Sequence, residues 1–111
     1  MKRRDAFAAL ADPTRRQILE LLRDEGALAA GAIADRFESS ARPGISRHLR
    51  ILRESGLVDT ASCGRARHYA LNVRPVLELK RGWFASFTTA HQRGLVALRR
   101  LSEAPDDESR G

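Results

Sequence analysis

The sequence predicts a mainly helical domain carrying one small β-hairpin, with elements in the order α-α-α-α-β-β-α. Three observations lead there. In residues 42–55, Ile45, Leu49 and Leu52 fall at i, i+4 and i+7, one face of a helix, while Ser46, Arg47, Arg50 and Glu54 point away. After a glycine stop at Gly56 come two short extended runs, 57–61 and 67–71, with Gly64 between them available for a turn. The chain then closes on a long helical stretch, 76–101, whose apolar positions form a broader stripe than one small domain requires.

The elements follow in order. Residues 5–10 read as a short helix with Phe7 and Leu10 on one side. Asp12-Pro13 is a helix start, with Asp as N-cap and Pro at the first helical position. That helix runs through Ile18, Leu19, Leu21 and Leu22 to about Asp24 and closes at Gly26; its apolar positions read as core. Residues 27–31 are a small-residue connector, and 32–37 a short helix with Ile33, Ala34 and Phe37 inward. Residues 38–41 form a polar turn in which Ser40 is the expected cap for the next helix. Two short helices joined by such a turn make a helix-turn-helix, the first bracing the second in a DNA groove. A hairpin directly after the second helix is a wing, with Arg65 near its tip and Arg67 and His68 following. One of His68 and Tyr69 must face inward, and the alternation alone does not choose between them.

Composition narrows the function. The chain has 111 residues, enough for one domain (1–102) and an acidic tail (103–111) that lacks large apolar side chains and is expected to be disordered. A net charge of +6 points to a polyanion, nucleic acid or an anionic membrane surface. No run approaches the roughly 18 apolar residues of a membrane span, and no apolar signal core follows Met1. Cys63 is the single cysteine, so no intrachain disulfide can form and a cytoplasmic location is expected. Arg42, Arg47, Arg50 and Arg53 carry four positive charges before the first acid, Glu54. Charge alone would suit a groove-binding helix or an ordinary solvated one; the helix-turn-helix and wing around it favour the groove.

Three stretches carry a specific resemblance. Residues 9–22, Ala-Leu-Ala-Asp-Pro-Thr-Arg-Arg-Gln-Ile-Leu-Glu-Leu-Leu, resemble the opening helix of the ArsR family of bacterial winged helix-turn-helix repressors. Residues 44–58 look like that family's recognition helix and first wing strand, and residues 64–71 are similar to its wing return. The resemblance implies a cytoplasmic homodimer that represses a promoter by binding double-stranded operator DNA. It places Ser46, Arg47, His48 and Arg50 in the DNA-contacting segment, with Arg42 at its start, and Arg65 and Arg67 in the wing. It also implies a dimer interface built from the terminal helices: Phe7 and Leu10, then Trp83, Phe84, Phe87, His91, Leu95 and Leu98. Two departures stand out: the turn 38–41 is about one residue long for the family, and Ala41 stands where a capping Ser or Thr is usual.

Other chemistries are weaker readings. Metalloid-sensing relatives carry a cysteine pair in the helix before the recognition helix, whereas residues 31–36 here hold no thiol. His91 has Phe87 four residues before it and Leu95 four after, so it reads as an interface histidine rather than a ligand. No metal or cofactor is therefore expected, and the small-molecule or redox effector is undetermined. Cys63 could act as a redox thiol beside Arg65 and Arg67, but without a resolving partner it reads as an incidental turn residue. His48 can reach a phosphate or buttress the turn, and both readings stand. No nucleophile elbow, phosphate-cradling loop or paired histidines support an enzyme. The alternatives to the operator-binding repressor are a thiol- or metal-responsive derepressor of the same fold and a sequence-indifferent architectural DNA binder.

Overall fold

The computed structural model describes residues 5–104. Its elements are α1 (Ala6–Leu10), α2 (Pro13–Glu25), β1 (Ala27–Ala29), α3 (Ala30–Ala34), α4 (Arg42–Glu54), β2 (Val58–Cys63), β3 (Ala66–Leu71), α5 (Arg74–Leu79), a π-helical turn Lys80–Phe84, and α6 (Ala85–Glu103). The chain separates into two compact units, residues 1–77 and 78–111. The expected tail beyond Ala104 lies outside the described residues, and Glu103 is the last residue of α6 rather than part of a tail.

The helix boundaries follow local chemistry. Asp5 caps α1 by accepting from the Phe7 N–H at 2.9 Å. Asp12 caps α2 by accepting from the Arg15 N–H at 3.1 Å, with Pro13 in the first turn where it forfeits no bond. Gly26 ends α2 at φ +92°, a backbone that L side chains rarely adopt. At the end of α4, Gly56 takes φ +78°; its N–H donates to Arg53 O and the Leu57 N–H donates back to Leu52 O. This is the Schellman arrangement, and buried Leu52 and Leu57 form its hydrophobic contact. Ser40 does not cap α4: the N-cap is Ala41, without a side-chain bond, because the preceding turn is already helical in backbone and runs into the helix through Ala41 N–Glu38 O and Gly44 N–Ala41 O bonds.

One strand appears where a connector was expected. Ala27–Ala29 pairs antiparallel with β3, Leu28 opposite Tyr69, giving a three-stranded sheet in the order β1-β3-β2. Because β1 ends at Ala29, α3 starts at Ala30, earlier than expected. It ends at Ala34 through tighter turns, Arg36 N to Ile33 O and Phe37 N to Ala34 O. The hairpin is also tighter than expected: Cys63 pairs with Ala66, leaving only Gly64 and Arg65 as the loop. Gly64 has φ +65° and, among the described residues, no non-glycine residue has positive φ, the sign pattern of a type II′ turn.

The core of the first unit joins Ile18 and Leu22 of α2, Ile33 of α3, Ile45, Leu49, Ile51 and Leu52 of α4, and Leu57, Val58 and Tyr69 of the hairpin. Tyr69, not His68, faces it. Burial pushes the Asp12 carboxyl up, but the Arg15 N–H it accepts, with the charges of His48 and Arg15, outweighs this and holds it below its ordinary value. A folded value below the unfolded one stabilises at neutral pH, and that contribution is lost as pH falls through the folded value, below about pH 4. Asp12→Ala is expected to cost about 1 kcal/mol at pH 7. Thermal melts should show the gap to wild type narrowing at pH 3; an unchanged gap would show that the cap charge contributes nothing.

Candidate nucleic-acid interface

The helix α4 has two chemically distinct faces. Ile45, Leu49 and Leu52 are almost wholly buried and lock it onto α2, α3 and the hairpin. Ser46, Arg47, Arg50 and Arg53 are exposed on the opposite side. Among the described residues Arg47 and Arg50 have neither an ion-pair nor a hydrogen-bond partner, so two guanidinium forks stand ready for an external acceptor. Arg42 differs: its Nη2 lies 3.1 Å from Asp35 Oδ1, so its charge is already balanced by the residue that follows α3. An exposed pair of this kind is weak, about 0–1 kcal/mol, and can be exchanged for another anion.

His48 is placed differently from the arginines. Its Nδ1 lies 3.3 Å from Arg15 Nη1 and 3.9 Å from Asp12 Oδ2, so that edge of the ring is turned to the start of α2. The buttressing role is therefore built into the fold, and the rest of the ring packs beside Gly44 in the first turn of α4. In the sequence, α2 shows only a core-forming apolar face. The contact joins residues 33 positions apart, and no local pattern announces it.

The register orders the wing. Thr60, Ser62, Arg67 and Tyr69 share one face of the hairpin; Asp59, Ala61, Cys63, Ala66 and His68 share the other. Tyr69 marks the first face as the core-facing one, so Arg67 projects on the same side of the sheet as the helices, beyond the end of the core. Arg65 occupies the turn itself. Cys63 is exposed on the face opposite Arg67, so only Arg65 is left near it along the strand end. Among the described residues no three His, Cys, Asp or Glu side chains gather where they could hold a metal ion.

The expected interface residues divide. In the first unit Leu10 is half-buried against the core, while Phe7 is 37% exposed. In the second unit no residue of the π-helical turn or of α6 is buried. Trp83 packs against Phe87 in a tilted pair, ring centroids 4.4 Å apart and planes at 43°, and meets Phe84 edge-on at 5.1 Å. Phe87, His91, Leu95, Leu98 and Leu101 then recur at helical spacing along α6.

Comparison with known proteins agrees with this geometry. Residues 10–61, from the end of α1 to the middle of β2, match the model of a helix-turn-helix domain. The chain is 40% identical over 83 residues to the transcriptional repressor SdpR of Bacillus subtilis, covering 75% of this chain and 89% of that protein. It superposes on the crystal structure of an ArsR family transcriptional regulator with a TM-score of 0.67 at 32% identity, over 78% of this chain and 86% of the other. The chain belongs to the ArsR family. An ArsR-like regulator from Rhodococcus sp. RHA1 gives a TM-score of 0.71 at 29% identity, over 89% and 91% of the two chains. This ArsR-family chain is thus a winged helix-turn-helix transcriptional regulator that binds DNA, not an enzyme, with α4 as the second helix of the motif and β2–β3 as the wing. No helix among the described residues is long and apolar enough to cross a membrane.

Proposed function

We propose that this ArsR-family protein represses transcription as a homodimer on a palindromic operator, reading bases with α4 and gripping the flanking backbone with the wing. The observation that carries the dimer is the unburied stripe of the second unit, where Trp83, Phe87, Leu95 and Leu98 are each more than half exposed. Exposed apolar surface of this extent marks an association face. A second copy of the same helix covers it by two-fold symmetry, each residue meeting its counterpart's neighbourhood. Phe7 and Leu10 of α1 join that interface in this reading. Arg47 and Arg50, with Ser46 between helix and groove, supply base and phosphate contacts; Arg42, Arg65 and Arg67 supply backbone contacts.

A dimer of winged helices places two recognition helices one DNA turn apart, about 34–36 Å, which requires inverted half-sites. If each protomer neutralises about four phosphates, the slope of log affinity against log salt is near −7; a monomer gives roughly half that value. Light scattering at micromolar concentration checks the same point. A mass of one 12.3 kDa chain together with full operator affinity would rule the dimer out.

A further inference from the structure

Arg15 lies on α2, which takes no part in the groove reading, yet its guanidinium is committed on three sides. Nε donates to Ala9 O at 2.8 Å, Nη2 to Ala8 O at 3.3 Å, and Nη1 faces His48 Nδ1 at 3.3 Å. A guanidinium has donors and no acceptor, so His48 Nδ1 must be the accepting nitrogen in this contact. An imidazole that accepts at Nδ1 carries its proton on Nε2. Asp12 does not compete for that nitrogen: its Oδ2 is 3.9 Å away, beyond hydrogen-bond length, and is taken by the Arg15 backbone N–H. The other edge of the ring, Cδ2–Nε2, lies beside Gly44 in the first turn of α4. Among the described residues Nε2 has no partner, and it is not among the buried polar atoms left without one. The side chain is about one-fifth exposed, on the same helix as Ser46, Arg47 and Arg50.

We infer that Arg15 is a positioning residue for DNA binding: in the neutral imidazole of His48 it selects the Nε2–H tautomer, so that α4 offers an N–H donor to a DNA phosphate oxygen. The same guanidinium also ties the last carbonyls of α1 to α4, so the donor is held by the packing of two other helices rather than by its own rotamer. Neutral imidazole in water has no such fixed choice of nitrogen, and the wrong tautomer would present a lone pair to the phosphate. The inference rests on the groove reading of α4, and its test separates the two.

The test uses the full chain. A long-range proton–nitrogen correlation spectrum of DNA-free protein is expected to show His48 protonated on Nε2 and unprotonated on Nδ1, with Arg15→Lys shifting it towards a mixture. Lysine can still hold the α1 carbonyls, so this variant should melt like wild type; Arg15→Met covers the case in which it does not. On a duplex selected from random sequence, Arg15→Lys and His48→Ala should each weaken binding about fivefold per protomer, the worth of one net hydrogen bond. The double variant should bind no more weakly than His48→Ala alone, whereas a purely structural role for Arg15 would make the losses multiply. An Nδ1–H tautomer in the wild type, or multiplying losses, overturns the inference. Arg47→Ala is measured alongside: if it weakens binding and Arg15→Lys does not, the inference alone fails, and if neither does, the groove reading fails with it.

Discussion

Replacing Arg47 and Arg50 together by alanine is expected to abolish operator binding while leaving the melting transition in place. Both side chains are exposed on the face of α4 opposite buried Ile45, Leu49 and Leu52, and neither has a partner among the described residues. Nothing in the fold depends on them, so the stability change should stay within about 0.5 kcal/mol. On DNA each bidentate contact is worth about 1–3 kcal/mol, and two protomers carry four such arginines. Even at the low end the loss is about 4 kcal/mol, roughly a thousandfold in affinity. Fluorescence anisotropy with the operator, beside a circular-dichroism melt, measures both quantities. Wild-type affinity in the double variant would remove α4 from the groove. A loss that is equal for operator and random duplex would instead make the two arginines phosphate contacts only.

The Phe87→Asp, Leu98→Asp variant should convert the protein to a single 12.3 kDa chain in solution. Both positions are more than half exposed and lie on one stripe of α6, so neither substitution removes a core contact within the protomer. In the dimer the four side chains, two from each copy, would lose the half or so of their surface still exposed, at roughly 1 kcal/mol or more each, or about 4 kcal/mol in all. Carboxylates at the same places add a desolvation cost on top. The monomer should still bind a half-site weakly, because the helix-turn-helix lies in the other compact unit, while affinity for the palindrome collapses. Retention of a two-chain mass would place the interface elsewhere.

The sequence was most legible where the determinant is local. Asp12-Pro13 and Gly26 delimit α2, and Gly56 with Leu57 ends α4, because caps and positive-φ glycines act within a few residues. The exposed arginines of α4 follow from a helical period that the structure keeps. Legibility fails where the determinant is distant. Ala27-Leu28-Ala29 has weak strand propensity and becomes β1 only because β3, some forty residues later, offers a free edge. The choice between His68 and Tyr69 needed that same register. The bond from Arg15 to His48 spans 33 positions and belongs to the packing of α2 on α4. The π-helical turn Lys80–Phe84 escapes a helical-period reading of residues 76–101, because such a reading assumes a constant 3.6 residues per turn and a π turn with Gly82 inside it breaks that assumption.

A two-fold dimer of this protein should read an inverted repeat. Selection of bound duplexes from random sequence by the full-length protein tests it most directly, because binding, specificity and half-site spacing are read together. One motif should be enriched, its two halves inverted copies with centres about 10–10.5 base pairs apart. Enrichment of a single unpaired half-site, or recovery of duplexes with no shared motif, would contradict it.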